Sequence, residues 1–473
     1  MSESCVAYPS IIQGGMGAAV SNWRLARAVS MLGQLGVVSA TGIDTVLARR
    51  LQLGDVGGHM RRAFDAFPFK EIADRVWNLY HREDGKEELK AFKSKPMPII
   101  KAGKALDELL VMSSFVEVFL AKQGHKGLVG VNRLEKIQLP TIPSLYGAML
   151  AGVDYVLMGA GIPREIPRVL ESLSKLEKTE MPINVAGALE CDNFTTTFDP
   201  KEFADHKVDS LKKPLFLAIV SSSTLAIALA RKCSPPPDGF VIEGFTAGGH
   251  NAGPRGKWII DENGEPVYGE KDTPDLAKFV KIGLPFWLAG SFGGKGKLAE
   301  AQSHGAKGIQ VGTAFAYCEE SGITPEIRAE VIRKVINNEI RVFTDPVASP
   351  TGFPFKIVEL DDAGMDKTER RKRICDLGYL REPYRMEDGK VGYRCASEPK
   401  DDYVKKGGKL EDTVGRKCIC NGLMATIGLS QVRKGIVEES IVTAGDDLPT
   451  IKKFFKNGAT SYTAADVLDY LLS

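Results

Sequence analysis

The chain has 473 residues, of which 43% are hydrophobic and 26% charged, and its formal net charge is +2. That balance suits a soluble globular protein with a large core, and it offers no electrostatic case for nucleic acid or a membrane surface. No run approaches the roughly 18 apolar residues of a membrane span, and the opening MSESCVAYPS has neither a basic start nor an apolar signal core.

In chain order, Ser10–Gln13 reads as a short buried strand that ends in Gly14-Gly15-Met16-Gly17. Ser21 or Asn22 can cap a helix whose apolar positions Leu25, Ala28, Val29 and Leu32 recur at helical spacing, and Gly33 closes it. Leu35–Ala40 is a second buried strand. Strand, glycine loop, helix, strand is the opening of a parallel sheet with right-handed crossovers.

From Thr41 to Gly127 the alternation pauses. The periodicity predicts helices over Asp44–Leu51, Gly58–Ala66, Lys70–His81 and about Asp107–Gln123, an insertion lying over one end of the sheet. Strands resume at Leu128–Asn132 and Tyr155–Met158, the latter ending in Gly159-Ala160-Gly161. A second insertion, about 180–213, carries Thr195-Thr196-Thr197 and suggests short antiparallel strands. Leu215–Val220 is the next buried strand. Ser221–Ser223 starts a helix that reaches Cys233, and Pro235–Pro237 stops it.

Gly239–Glu243 then runs into the glycine-rich loop GFTAGGH, with His250 at its tip. Lys257–Gly269 reads as a hairpin around Glu262-Asn263-Gly264, and Thr273 as the cap of a helix ending near Gly283. Leu284–Ala289 ends in Gly290-Ser291-Phe292-Gly293-Gly294, a helix covers about Lys297–His304, and Lys307–Val311 ends in Gly312-Thr313. Eight strand candidates, near residues 10, 35, 128, 155, 215, 239, 284 and 307, predict an α/β (β/α)8 barrel over 1–340. Residues 341–473 form an extension packed on or beside it.

His250 is the one titratable ring at a strand mouth, where a barrel keeps its chemistry. Gly248 and Gly249 remove two neighbouring side chains, so a flat ligand could lie against bare backbone. A structural alternative is a loop histidine bonded to a nearby carbonyl. The glycine clusters after the last two strands free backbone amides for a phosphate dianion, the habitual phosphate position of such barrels. There is no Walker loop, no G-x-G-x-x-G entering a helix after an opening strand, no paired histidines and no G-x-S-x-G elbow.

The motifs IIQGGMG at 11–17, LGVVS at 35–39, GVN at 130–132, MGAG at 158–161, EGFTAGGH at 243–250, LAGSFGG at 288–294 and GIQVGTAF at 308–315 occur in order. Together they resemble the 2-nitropropane dioxygenase-like flavoproteins, which include nitronate monooxygenases and flavin-dependent enoyl reductases. The resemblance implies FMN as cofactor. It implies His250 as acid/base, and Gly248 and Gly249 as part of its loop. Gly290, Ser291, Gly293, Gln310, Gly312 and Thr313 match phosphate-binding segments. Gly15 and Met16 match the segment against the flavin ring, and Asn132 the polar residue after strand three. Where the family usually reads A-A-G-G-I, this chain has L-A-G-S-F. SPTGFPFK at 349–356 and KCICNGLMATIGL at 417–429 look more like trans-acting enoyl reductases of polyketide and polyunsaturated fatty-acid synthases.

Three functions follow. Oxidation of an alkyl nitronate with O2 is the leading one. NAD(P)H-dependent reduction of an enoyl thioester on an acyl carrier protein is the second, with Lys101, Lys104, Lys122 and Lys126 as a candidate basic rim or a solvated helix surface. A flavin-binding module without turnover is the third. A homodimer stays open.

Most of the eight cysteines are scattered singly, which suits a reducing cytoplasm. Basic tracts such as Thr368–Arg373 read as solvated helix faces. Half of the cysteines fall at 375, 395, 418 and 420, in a charged, turn-rich segment. Four thiolates there could form a tetrahedral zinc staple, but the C-x-C pair is shorter than the usual knuckle spacing. The preferred reading is four reduced thiols and no metal ligands.

Overall fold

The computed structural model describes residues 8–360, 373–456 and 459–473. The opening segment 1–7 and the Thr368–Arg373 tract up to residue 372 lie outside the described residues. Eight short strands form one parallel sheet: β1 (Ile11–Gln13), β2 (Gly36–Ser39), β3 (Val129–Leu134), β4 (Tyr155–Gly159), β5 (Leu215–Val220), β6 (Gly239–Glu243), β7 (Phe286–Ala289) and β8 (Gly308–Val311). Hydrogen-bonded neighbours run β1-β8-β7-β6-β5-β4-β3-β2. A bridge between Ile12 and Leu35 closes the ring, with Gln13 N donating to Leu35 O at 3.0 Å and Leu35 N to Ile11 O at 3.1 Å. Every strand predicted for the barrel is therefore in it, and the fold is a (β/α)8 barrel.

Alternation along the strands explains the core. Ile12, Leu35, Val37, Tyr155, Leu157, Leu217, Ile219, Val241, Trp287 and Ala289 form one buried cluster, the barrel interior. Their sequence neighbours, such as Val38, Val156, Ala218, Ile242 and Leu288, join the larger cluster shared with the helices. Strands buried on both faces read as unbroken apolar runs, which is why they were visible in sequence. Trp287 donates its indole N–H to Pro9 O at 2.8 Å and is fully buried.

Local signals place the helices. Asn22 accepts from Arg24 N at 2.8 Å and Leu25 N at 3.1 Å, capping Trp23–Met31. Ser222 caps Ser223–Lys232 through Leu225 N. The first insertion forms Ile43–Gln52, His59–Ala66, Lys70–Tyr80 and Lys104–Lys122. The last of these packs against Trp23–Met31 and Thr141–Leu150 in the outer helix layer. Thr195–Phe198 pairs antiparallel with Thr179–Pro182, as the threonine run suggested.

Two local expectations fail. The helix assigned to a Thr273 cap begins instead at Leu276, with Asp275 at its cap position. Asp272 takes Gly269 N and Arg255 N, each at 2.8 Å, and ends a separate short turn at 270–272. Lys257–Gly269 turns around Asp261–Glu265 but forms only the isolated bridge Ile260–Pro266, not a stranded hairpin.

Described residues after 341 cover the carboxyl ends of the strands. Val342–Asp345 pairs with Phe355–Val358, and Ala348, Phe355, Tyr379, Leu380, Ile419 and Met424 cluster with Ala18, Ala19, Val46 and Ile137. Tyr462 Oη donates to Ala314 O at 2.8 Å and Tyr317 Oη to Thr443 O at 3.2 Å. Among the described residues no helix is long and apolar enough to cross a membrane.

Candidate active site

A cavity opens at the carboxyl ends of the strands, between barrel and cover, with about 1630 Å³ of empty space including its open mouth. All the site residues predicted from sequence line it except Gly293. Gly293 stands just behind, where an added Cβ would lie 3.2 Å from the Asp447 carboxylate that does line it.

The first wall is the β1 loop. Ser21 Oγ donates to Gly14 O at 2.7 Å and accepts from Met16 N at 2.9 Å and Gln13 Nε2 at 2.8 Å. Gln13 in turn accepts from Val37 N at 2.9 Å. These two fully buried side chains hold Gly14–Met16 as a rigid shelf. Gly15 must be glycine because an added Cβ would sit 2.3 Å from Asn132 Cβ. Asn132 Nδ2 also donates to Gly15 O at 3.2 Å, so the two predicted residues meet.

The second wall joins β7 and β8. Gly290 has φ +92° and Ser291 φ +57°, so the serine holds the left-handed backbone that the family pattern gives to glycine. Ser291 Oγ and Gln310 Oε1 are buried without a hydrogen-bond partner. Buried polar atoms are rarely left so, and both lie on the wall where a phosphate-tailed ligand would rest. Gly312 is open to that wall, with only Met16 at ordinary contact distance. One feature opposes an anion: Asp447. Burial pushes its carboxyl above the usual carboxylate range, against a hydrogen bond from Thr313 and the attraction of Lys453. A neutral carboxylic acid is compatible with a phosphate, and can donate to it. The wall thus fits a phosphate-tailed flavin while Asp447 stays protonated.

The third wall carries His250. Its Nε2 pairs with Ser349 Oγ at 2.8 Å, and its ring meets Phe355 edge-on with centroids 4.8 Å apart. Ser349 Oγ also contacts Thr351 Oγ1 at 2.8 Å. Burial, and secondly the Lys136 charge, hold the imidazole well below its ordinary pKa. The ring is neutral near pH 7, able to accept a proton at one nitrogen and donate from the other. Ser349 and Phe355 belong to the SPTGFPFK segment singled out in sequence; their contact with His250 was not foreseen.

The glycines beside His250, which both line the cavity, have a further reason. A Cβ on Gly248 would lie 2.7 Å from the Ala444 carbonyl carbon, so the cover leaves no room for a side chain there. Gly249 has φ +77°, which favours glycine. Its N–H donates to Thr443 Oγ1 at 2.8 Å, and its carbonyl accepts from Lys356 N at 3.0 Å.

Two charged residues escaped the sequence reading. Glu243, at the end of β6, lines the cavity, and burial raises its carboxyl to about 7. Lys136 is buried at Nζ without a hydrogen-bond partner and lies 3.5 Å above the Phe353 ring. Burial lowers its amine to about 7, against the attraction of Glu135. Their position, three residues or fewer from a barrel strand's end, was the available signal. The lysines of the candidate rim lie at opposite ends of Lys104–Lys122, and Lys122 is paired with Asp154 at 2.6 Å.

Fold and cavity together define a (β/α)8 barrel with a large cavity at the carboxyl ends of the strands. Residues 183–348, which include His250 and the β7–β8 wall, match the nitronate monooxygenase family model. A Staphylococcus haemolyticus (strain JCSC1435) protein described as "Probable nitronate monooxygenase" is 34% identical over 128 residues, 26% of this chain and 34% of that protein. A Saccharomyces cerevisiae (strain S288c) protein assigned to the same activity is 30% identical over 129 residues, 25% of this chain and 31% of that protein. The chain thus spans about a third of the length of these curated relatives. Among solved structures, FabK from Thermotoga maritima aligns over 98% of this chain and 92% of its own, at 15% identity and a TM-score of 0.48, too low to carry a functional comparison. The motif resemblance is borne out, and its matched core is the stretch from 183 to 348.

Proposed function

We propose that the protein is an FMN-dependent oxidoreductase of the nitronate monooxygenase type, oxidising alkyl nitronates with O2. The observation that carries this reading is the meeting, in one cavity, of a neutral, half-buried His250 and a glycine-opened wall with two unpartnered polar atoms. Gly290, Ser291, Gln310, Gly312 and Thr313 would hold the phosphate, while the Gly15–Met16 shelf and Asn132 would support the ring. Bound FMN would supply the two-electron acceptor.

The chain's own groups account for the rest. A neutral His250 can take the α-proton of a nitroalkane or hold an oxygen of its nitronate. Ser349 and Phe355 fix the ring's plane. The cover, through Phe355, Tyr379, Leu380, Ile419 and Leu423, would limit water at the reacting centre. Lys136, whose amine titrates near neutrality beside His250, would be held protonated by an anionic substrate.

A second reading is NAD(P)H-dependent enoyl reduction on a carrier-bound thioester. It is favoured by the segments that look like trans-acting enoyl reductases, because Ser349 and Phe355 brace His250 while Ile419, Leu423 and Met424 line the cavity. The anaerobic flavin test separates the two. Bleaching by an alkyl nitronate but not by NADPH is the expected result. Bleaching by NADPH alone would favour enoyl reduction, and bleaching by neither would overturn the proposed oxidoreductase.

A further inference from the structure

The four cysteines at 375, 395, 418 and 420 come from three separate pieces of chain. Cys375 lies in the loop before the hairpin formed by Glu382–Arg385 and Val391–Arg394, and Cys395 directly follows that hairpin. Cys418 and Cys420 sit at the start of helix Ile419–Thr426. Nothing in their spacing requires them to meet, yet all four line one small cavity, whose roughly 300 Å³ of empty space includes open solvent. No disulfide joins them.

Polar groups stand beside the sulfurs. Asn421 Nδ2 donates to Cys418 Sγ at 3.6 Å, and Arg381 lines the same cavity. Four thiolates gathered there would repel one another without a positive centre between them. Zinc would draw four sulfurs to about 2.3 Å from one point, and among the described residues no three His, Cys, Asp or Glu side chains are arranged to hold a metal ion. Four sulfurs set around a cavity, instead of around a point, match the corners of a larger inorganic core.

We propose that Cys375, Cys395, Cys418 and Cys420 ligate a [4Fe–4S] cluster in this cavity. The cluster would sit against the flavin cavity, because Leu380, Ile419 and Cys420 line both. The site stands independently of the flavin assignment, and its test reads iron and sulfide directly.

The full chain is purified without oxygen and analysed for iron, acid-labile sulfide and zinc, before and after anaerobic reconstitution with ferrous iron and sulfide. About four irons and four sulfides per chain are expected, with a reduced-cluster electron paramagnetic resonance signal after dithionite. Cys395→Ser should lose most of the iron, whereas Cys191→Ser, at an exposed cysteine outside the cavity, should retain it. Should Cys395→Ser fail to fold, the metal content of the unaltered chain still decides. One zinc per chain without sulfide, or a protein that takes up no iron on reconstitution, would overturn the proposal.

Discussion

Replacing Gly312 with Asp tests the phosphate wall most sharply, because the structure separates charge from shape at that position. Gly312 has φ −104°, a conformation open to any residue, and an added Cβ meets only Met16 Sδ at 3.5 Å and Cγ at 3.7 Å. Gly312→Ala should therefore fold and bind flavin as the parent does. Gly312→Asp adds a carboxylate facing the wall that would hold the phosphate. Two unit charges about 4 Å apart repel by ~4 kcal/mol at the effective dielectric of a partly buried site. That corresponds to ~10³-fold in Kd, and with screening at the open mouth at least ~10²-fold is expected. The assay is flavin released per chain after gel filtration, followed by fluorescence titration of the apoprotein. Stoichiometric flavin in Gly312→Asp would refute the phosphate assignment, whereas loss in both variants would trace to packing.

Three further outcomes follow from the same geometry. His250→Ala should keep its flavin and lose ~10²-fold or more in kcat, the share typical of general acid/base catalysis; a kcat within a few-fold of the parent would leave this histidine a structural role. Asp447 has a raised pKa in the fold, so its anionic form appears beside the phosphate wall only as pH rises through that value. Flavin Kd should then rise with pH relative to Asp447→Asn, and a ratio of the two Kd values that stays constant with pH would sink this role. Gly248→Ala sets a Cβ 2.7 Å from the Ala444 carbonyl carbon and 2.9 Å from Gly445 N, and overpacking of that kind costs about 1–3 kcal/mol. Thermal unfolding should fall accordingly, and an unchanged Tm would show that the cover yields freely.

Order along the chain and periodicity were enough to lay out the barrel. β4 and β5, for example, are buried on both faces, so their apolar runs are continuous and their ends are marked by glycine or serine. The caps at Asn22 and Ser222 were legible because a side chain bonding two or three residues ahead is a local interaction. The placing of His250 at a strand mouth, and of glycine clusters after β7 and β8, followed from the same local logic. Thr273 failed for a non-local reason: Asp272 is drawn to Arg255, 17 residues away, and the chain turns before the helix can start.

Everything that makes the cavity a site was decided by tertiary structure. Ser349 reaches His250 across 99 residues. Gly248 is bare because Ala444 presses on it, and Asp447 arrives at the β7–β8 wall from the last tenth of the chain. The low imidazole pKa and the raised carboxyls of Glu243 and Asp447 exist because the folded cover excludes water from groups that would be fully hydrated in the open chain. The four cysteines make the same point. Their spacing of 20, 23 and 2 residues matches no short ligand motif, and only the folding of a hairpin and a helix onto the barrel brings their sulfurs around one cavity.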